Sequence, residues 1–553
     1  MKKILFALTS LYLLFTIHNS RVYADTAVLV KTIVGPDTLT IFGASIAPVK
    51  NFRGNGEIDL LIGAYDRSGS IGSPGWAYIY YGGSVFDSLW DVQYHGVKGG
   101  VGDWTGYGKA VSSAGDFNKD GYEDIIIASP HYDMPTSSTG DDGRIYLYKG
   151  GPSPDTIPLW YLDTPHTYGA TFGYSVAYIG DLNKDGCGDI IAGAPNDIGP
   201  YGQGFTGGAY IFLGDSTNPN SVIDYELYGR SNQEGFGWCV SGLGDINGDS
   251  FPEIAVGSPG GYGKVYIYSG NSPFDTTCDY LLQGRYNNGR FGQSISHGDF
   301  NKDGYEDVIV GEYGYNSNTG RAYIYLGGAS PDTVPDLILN GEQAGCFGYQ
   351  VCGTNDLNGD SIDDYIISAP WHTTAIDSFA GKVFIYYGKA ILDTAIAVAV
   401  TGNYYKSRIG TNVSSLADIN NDSKNEFTVK WGSPASGIPS NIKIYQIDVN
   451  GVAGQGIDEN KRKDIYVKCY PNPFSKRVAF AYQVFKDSNI KLSIYNITGQ
   501  LVKTIAKGFK KTGNYKIEWN GVCDNGLKLN SGIYFYKLNI NNQTITNKII
   551  LIK

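Results

Sequence analysis

The sequence has few of the residues that build nitrogen–sulfur metal centres: 6 histidines, 7 cysteines and 2 methionines in 553 residues. His18 lies in the leader, and His95, His131, His166, His297 and His372 are scattered with no spacing that suggests zinc ligation. The cysteines are too few and too dispersed for a disulfide scaffold, and their number is odd. Cys346 and Cys352 read as one strand, about 20 Å apart if extended, which excludes a bridge between them. No G-x-S-x-G elbow, phosphate loop or Cys–His pairing is present. Charged residues are only 18%, and the net charge of −11 argues against nucleic acid as a partner. Long apolar runs are missing beyond the first residues. Ile4 to Ile17 is short of the roughly 20 residues of a membrane span. With Lys2 and Lys3 before it and small residues at Val22 and Ala24, residues 1–24 read as a secretory signal. No cysteine follows to accept a lipid anchor, and no transmembrane segment is expected.

Glycine (75) and tyrosine (44) are abundant, which excludes a helical bundle and points to short strands joined by tight turns. With 42% apolar residues, a large core is within reach and global disorder is excluded. Charge is unevenly divided. From Glu459 to Lys553 there are 17 Lys/Arg against 5 Asp/Glu, or +12, whereas the rest of the chain carries −23. This asymmetry predicts two modules, 25–450 and 465–553, joined by a Gly-rich and then charged linker over 451–464.

An acidic nonapeptide recurs through the first module. Copies begin at Asp116, Asp181, Asp245, Asp299, Asp356 and Asp418, with a degenerate one at Asn51, at offsets of 54 to 65 residues. An aromatic-Gly pair precedes each copy: Phe42-Gly43, Tyr107-Gly108, Phe172-Gly173, Phe236-Gly237, Phe291-Gly292 and Phe347-Gly348, with Ile409-Gly410 as the weaker seventh. A β-branched run follows each loop, then an alternating strand such as Gly143–Tyr148, and a weaker apolar stretch comes before the next pair. Four strands per unit and seven units predict an all-β, seven-bladed β-propeller. The innermost strands are expected to carry the apolar runs, packed on both faces. Ala27–Val34 precedes its own aromatic-Gly pair. Paired beside Ile442–Ile447, it would close the ring without a free edge.

In the acidic loops, positions one, three and five set three oxygen donors on one side of a tight turn. A glycine at position six permits a positive φ, position seven offers a carbonyl, and an acid at position nine completes the shell. The candidate ligands are Asp116, Asn118, Asp120, Tyr122 and Asp124; Asp181, Asn183, Asp185, Cys187 and Asp189; and Asp299, Asn301, Asp303, Tyr305 and Asp307. The less regular loops offer Asp245, Asn247, Asp249 and Glu253; Asp356, Asn358, Asp360 and Asp364; and Asp418, Asn420, Asp422 and Glu426, with Ser250, Ser361 and Ser423 at the sixth position. Hard oxygen donors predict Ca²⁺, one ion per well-formed loop, rather than zinc. The alternative, that these residues merely cap turns, must account for six similar loops. A helical calcium loop is excluded because the twelfth position falls inside the β-branched run. The first loop, with Asn51, Arg53 and Asn55, brings its own cation, and no metal is expected there.

Taken together, the aromatic-Gly pair, the D-x-N-x-D-G-x-x-D loop and the apolar run ending in Gly/Ser-Ala-Pro resemble the FG-GAP repeat of integrin α-chain propellers and related bacterial surface proteins, over about 27–448. The resemblance implies calcium on one rim and ligand recognition on the opposite one. The longer loops after each second strand would lie on that opposite face, with Trp104, Tyr132, Tyr201 and Trp371 as candidate contact aromatics.

Residues 465–553 read as a small Ig-like β-sandwich with strands at Val478–Tyr482, Ile490–Tyr495, Tyr515–Trp519, Ile533–Leu538 and Thr544–Leu551. Tyr470–Phe474, Ile494–Gln500, Trp519-Asn520-Gly521, Ser531–Tyr536 and the closing Lys548–Lys553 resemble the C-terminal sorting domain of the type IX secretion system. This implies passage through the outer membrane, with release or anchoring at the surface, and the secretion machinery as a partner. The expected function is a secreted, non-catalytic calcium-binding propeller for adhesion to, or recognition of, protein or glycan ligands. The alternative is a polysaccharide lyase or hydrolase working at the propeller axis.

Overall fold

The repeats fold as antiparallel sheets because each supplies four short strands separated by Gly- and Asp-rich turns. The structure, a computed structural model, describes residues 25–36, 40–66, 74–98, 105–135, 140–166, 169–199, 204–374, 378–432, 440–449, 466–470, 474–484, 487–511, 513–524, 526–540 and 543–552. The signal expected at 1–24, the linker at 451–464, Trp104 and Tyr201 lie outside the described residues. The chain divides into two compact units, Met1–Val452 and Ala453–Lys553.

The first unit is a seven-bladed β-propeller. Blade 1 comprises Thr40–Lys50, Ile58–Asp66, Trp76–Tyr80 and Val92–His95, hydrogen-bonded in that order. Blade 2 follows with Ala110–Gly115, Asp124–Ser129, Arg144–Tyr148 and Trp160–Asp163. Blades 3 to 6 repeat this order, their first strands opening at Ser175, Cys239, Ile295 and Val351. Blade 7 is built from both ends of the unit: Val413–Ala417, Glu426–Trp431 and Asn441–Asp448, with Thr26–Val34 as its outer strand. That strand pairs antiparallel with Asn441–Asp448, from Thr26 opposite Asp448 to Val34 opposite Asn441. The first strands neighbour one another around the ring, including 413–417 beside 40–50, so the circle closes.

The apolar runs belong to the second strand of each blade, not to the innermost one. Asp124–Ser129 is buried throughout, whereas Ala110–Gly115 nearer the axis is half-buried at Ser112 and Ser113. The reason is geometric. Blades stack face to face, and the second strand has a hydrophobic core on each side. Ile125 and Ile127 enter the core shared with blade 1, while Ile126 and Ala128 enter the core shared with blade 3. Seven such cores, one per blade interface, replace a single central core. Each fully buried Ile contributes about 1.5–3 kcal/mol. Cys346 and Cys352 do not share a strand: the strand begins at Val351, and Cys346 sits in the turn before Phe347-Gly348 at φ 59°.

The second unit packs a three-stranded sheet (Tyr466–Tyr470, Val478–Val484, Gly513–Trp519) with a four-stranded one ordered Leu501–Lys510, Ser488–Asn496, Gly532–Ile540 and Gln543–Leu551. Phe474, Phe480, Leu492, Trp519, Leu538 and Ile549 fill its core. Two of these strands, 466–470 and 501–510, escape the sequence reading because Lys468, Lys503, Lys507 and Lys510 interrupt their apolar pattern. Among the described residues no helix is long and apolar enough to cross a membrane.

Candidate calcium loops and the axial cavity

Each acidic loop joins the first and second strands of its blade, and the antiparallel alternation of strands therefore places all of them on one rim. Within a loop the first and third side chains turn back onto the backbone. In blade 3 the Asp185 N–H donates to Asp181 Oδ1 and Asn183 Oδ1 (both 3.0 Å), and the Gly186 N–H donates to Asp181 Oδ2 (2.7 Å). In blade 5 Asp303 and Gly304 repeat this pattern on Asp299 and Asn301. In blade 2 Asp120 and Gly121 repeat it on Asp116 and Asn118. The turn needs a left-handed residue at position four as well as at six, which the sequence reading assigned only to six. Lys184 has φ 59° and Gly186 φ 86°, while in the blade 4 loop Gly248 has φ 81° and Ser250 φ 70°. In blades 4 and 6 glycine has moved from one left-handed position to the other, blade 7 has Asn421 and Ser423 at the two positions, and Ser250, Ser361 and Ser423 keep the same turn at a steric cost.

The ninth-position acids, Asp124, Asp189, Glu253, Asp307, Asp364 and Glu426, are fully buried. They anchor the loop. Asp189 Oδ2 accepts from the Leu182 N–H (2.7 Å) and Oδ1 from the Gly214 N–H (2.8 Å), with the same two contacts made to Asp307 by Phe300 and Gly327 and to Asp364 by Leu357 and Gly388. The donor glycine follows the third strand and was not singled out from the sequence. A Cβ at Gly327 would collide with the Glu306 carbonyl, and one at Gly388 with the Asp363 carbonyl, so only glycine brings the N–H this close. A Gly two residues behind the third strand of blades 1 to 6 was the available signal.

Burial pushes the carboxyls of Asp189, Asp307 and Asp364 up to about 7 and those of Glu253 and Glu426 up to about 8. The fifth- and first-position acids add to the rise, and the backbone donors offset part of it. Asp124 behaves the same way, at about 7. Its Oδ2 and the Asn420 Oδ1 are buried oxygens without a donor. In blade 7 one oxygen each from Asp418, Asp422 and Glu426 lies within 4.8 Å of the others, although this loop departs from the sixth-position glycine. In blade 2 Lys149 Nζ sits 3.0 Å from Asp120 Oδ2.

Blade 1 shows what the pocket accepts. Arg53 Nη2 lies 2.8 Å from Asp59 Oδ1 and 2.8 Å from Glu57 Oε2, its Nε reaches Asp59 Oδ2 at 3.0 Å, and its guanidinium stacks 4.1 Å from the Tyr81 ring centroid. A side-chain cation thus occupies the place between the ninth-position carboxylate and its loop. Orphaned oxygens, raised carboxyls and this internal cation together fit a hard divalent ion, calcium before zinc.

The opposite rim carries the aromatic-Gly pairs. Parallel bridges join Gly75 to Tyr107, Gly143 to Phe172, Gly207 to Phe236 and Gly320 to Phe347, tying blade 1 to 2, 2 to 3, 3 to 4 and 5 to 6. The residue after each pair, among them Lys109, Tyr174, Trp238, Gln293 and Tyr349, lines a cavity of about 570 Å³ formed by the first strands around the axis. Trp371 joins this wall, 5.0 Å from Tyr349. Tyr132 does not present itself: it is 5% exposed, with the Arg144 guanidinium stacked 3.9 Å from its ring centroid.

Comparison with known proteins agrees with this architecture. FG-GAP repeats match at residues 107–148, 172–212, 236–268 and 291–325, each opening on an aromatic-Gly pair of blades 2 to 5. The Secretion system C-terminal sorting domain matches residues 468–553. The propeller thus contains FG-GAP repeats, and over this region the chain is similar to integrin α-chains. The chain carries a secretion-system sorting domain at its C-terminal end, which marks it as a secreted protein.

Integrin alpha-5 of Xenopus laevis is 28% identical over 45% of this chain and 24% of its own length, and integrin alpha-IIb of Mus musculus is 30% identical over 43% and 23%. Integrin alpha-PS2 of Drosophila melanogaster is 36% identical over 29% of this chain and 12% of its own. The chain therefore spans about a quarter or less of the curated relatives it matches. The crystal structure of BBS1N in complex with ARL6DN, soaked with mercury, aligns over 77% of this chain and 98% of its own at 12% identity and a TM-score of 0.44.

Proposed function

We propose that the protein is a secreted surface module whose propeller binds calcium in the acidic loops of blades 2 to 7 and recognises a protein or glycan ligand through the opposite face. The C-terminal unit is its ticket through the type IX secretion system. The observation that carries this reading is the separation of chemistries: oxygen-rich loops crowd one rim, while aromatic, amide and loop residues gather around the axis at the other. In each loop the acids at one, five and nine with the Asn at three would hold the ion. Calcium would neutralise carboxylates that are otherwise buried together, and would so rigidify the rim opposite the recognition face.

Metal content of the purified full chain, measured before and after Asp303→Ala, tests the first half. The loss of about one equivalent of calcium with an intact fold is expected; unchanged stoichiometry would refute the assignment. Glycan-array and protein-binding screens with and without calcium test the second half. Saturable binding without turnover is expected, whereas new reducing ends or unsaturated products would make the protein an enzyme.

A further inference from the structure

Six blades place a small residue four positions after the ninth-position acid: Gly63, Ala128, Gly193, Gly257, Gly311 and Ser368. At the four glycines a Cβ would run into the carbonyl of the next blade's aromatic-Gly pair, at Gly108, Gly237, Gly292 and Gly348. Blade 7 has Lys430 there. The ring closure makes this possible: the first strand of blade 1 starts early, at Thr40, and Gly43 meets the Ile442 side chain rather than the Lys430 backbone. Lys430 is 6% exposed, lines the axial cavity, and has no carboxylate partner among the described residues. Two more cations share the wall. Lys109 Nζ rests 3.0 Å from the Tyr174 ring centroid, and Arg408, held at φ 44°, buries an Nε that has no acceptor.

No aspartate or glutamate lines this cavity among the described residues, in a module that is otherwise strongly acidic. Burial alone pushes both lysines down to about 7, since no anion offsets it. A buried cation without a counter-charge is costly to keep, and the fold offers six precedents for a small residue at position 430. The remaining wall is amphipathic. Tyr174 and Trp238 (4.7 Å) and Tyr349 and Trp371 (5.0 Å) supply aromatic surface, and Gln293 and Gln350 supply amides. Aromatic faces with amides suit a pyranose ring, and a volume of about 570 Å³ suits one to three sugar units.

From these residues we infer that the axial cavity binds an acidic saccharide, with the anionic group held by Lys109, Arg408 and Lys430 and the ring against the aromatic wall. This deepens the recognition reading above and rests on it. A carboxylate and a sulfate share the chemistry, and Arg408 can engage either.

The test is isothermal titration of the full chain in calcium with galacturonate trisaccharide, a sulfated galactan trisaccharide and neutral galactotriose. At least one acidic sugar should bind 1:1 and the neutral one at least tenfold more weakly; which acid wins identifies the source of the anion. Lys430→Met should lower the affinity at least tenfold while the melting temperature holds or rises, because an unpaired buried charge has gone. Lys109→Gln should weaken binding independently of that change. Equal binding of the neutral sugar, or binding indifferent to both substitutions, would overturn the anion site and leave the recognition reading standing. No binding of any of the three, with a protein or another glycan captured elsewhere on the face, would overturn it too. If no ligand of any kind is found, both readings fall.

Discussion

Replacing Arg53 by asparagine would give blade 1 the third-position residue that the other six loops carry at Asn118, Asn183, Asn247, Asn301, Asn358 and Asn420. The substitution removes a guanidinium that is 19% exposed and lies 2.8 Å from a fully buried Asp59 carboxylate. Stripping one partner from a buried ion pair costs about 3–5 kcal/mol, because the other charge stays behind. In a domain of roughly 400 residues 1 kcal/mol shifts the melting temperature by about 1 °C, so Arg53→Asn in EDTA should melt about 3–5 °C below the wild type. If the guanidinium stands in for an ion, the vacated loop should accept one. Calcium at a hundred times the dissociation constant would restore about 2.7 kcal/mol, most of the loss. Differential scanning calorimetry of the full chain in EDTA and in millimolar calcium reads both numbers. A variant that loses under 1 °C, or whose deficit calcium leaves untouched, would refute the equivalence of Arg53 and a bound cation.

Two further outcomes are expected. In EDTA the buried ninth-position acids have folded values raised to about 7 or 8 against an unfolded value near 4, so their protonated form favours folding. Their contribution is complete below about pH 4 and is lost as pH rises through 7 to 8, so EDTA-treated protein should melt lower at pH 8 than at pH 5 and gain more from calcium at pH 8. Thermal melts across that range check it, and an opposite slope would refute it. Ser250→Gly and Ser361→Gly, at φ 70° and 65°, should each raise stability by about 0.5–1 kcal/mol by relieving left-handed strain, seen as a higher denaturation midpoint. A lower midpoint would show that the serine hydroxyls contribute more than the backbone conformation costs.

The repeat made the architecture legible. A loop of D-x-N-x-D-G-x-x-D between an aromatic-Gly pair and a β-branched run is a local pattern, and seven copies with four strands each leave few ways to fold. The closing strand at 26–34 could be anticipated because it has no blade of its own. The runs themselves were misplaced by one strand, because periodicity reports burial on both faces but not which strand stands nearest the axis. In the second unit the lysines along 501–510 hid a strand, since an exposed face tolerates charge wherever the hydrogen-bond ladder is satisfied.

What the residues determined by themselves is everything set by neighbours along the chain: blade number, the oxygen donors of each loop, and the turn that presents them. What tertiary structure decided is everything set by closure. Arg53 reads as a blemish in a loop until Asp59 and Tyr81 are seen around it. Lys109, Arg408 and Lys430 are unremarkable in three separate stretches, and only the ring, by bringing blade 7 against blade 1, turns them toward one space. Charge acts through distance in space, and sequence separation does not encode that distance once a chain has bent into a circle.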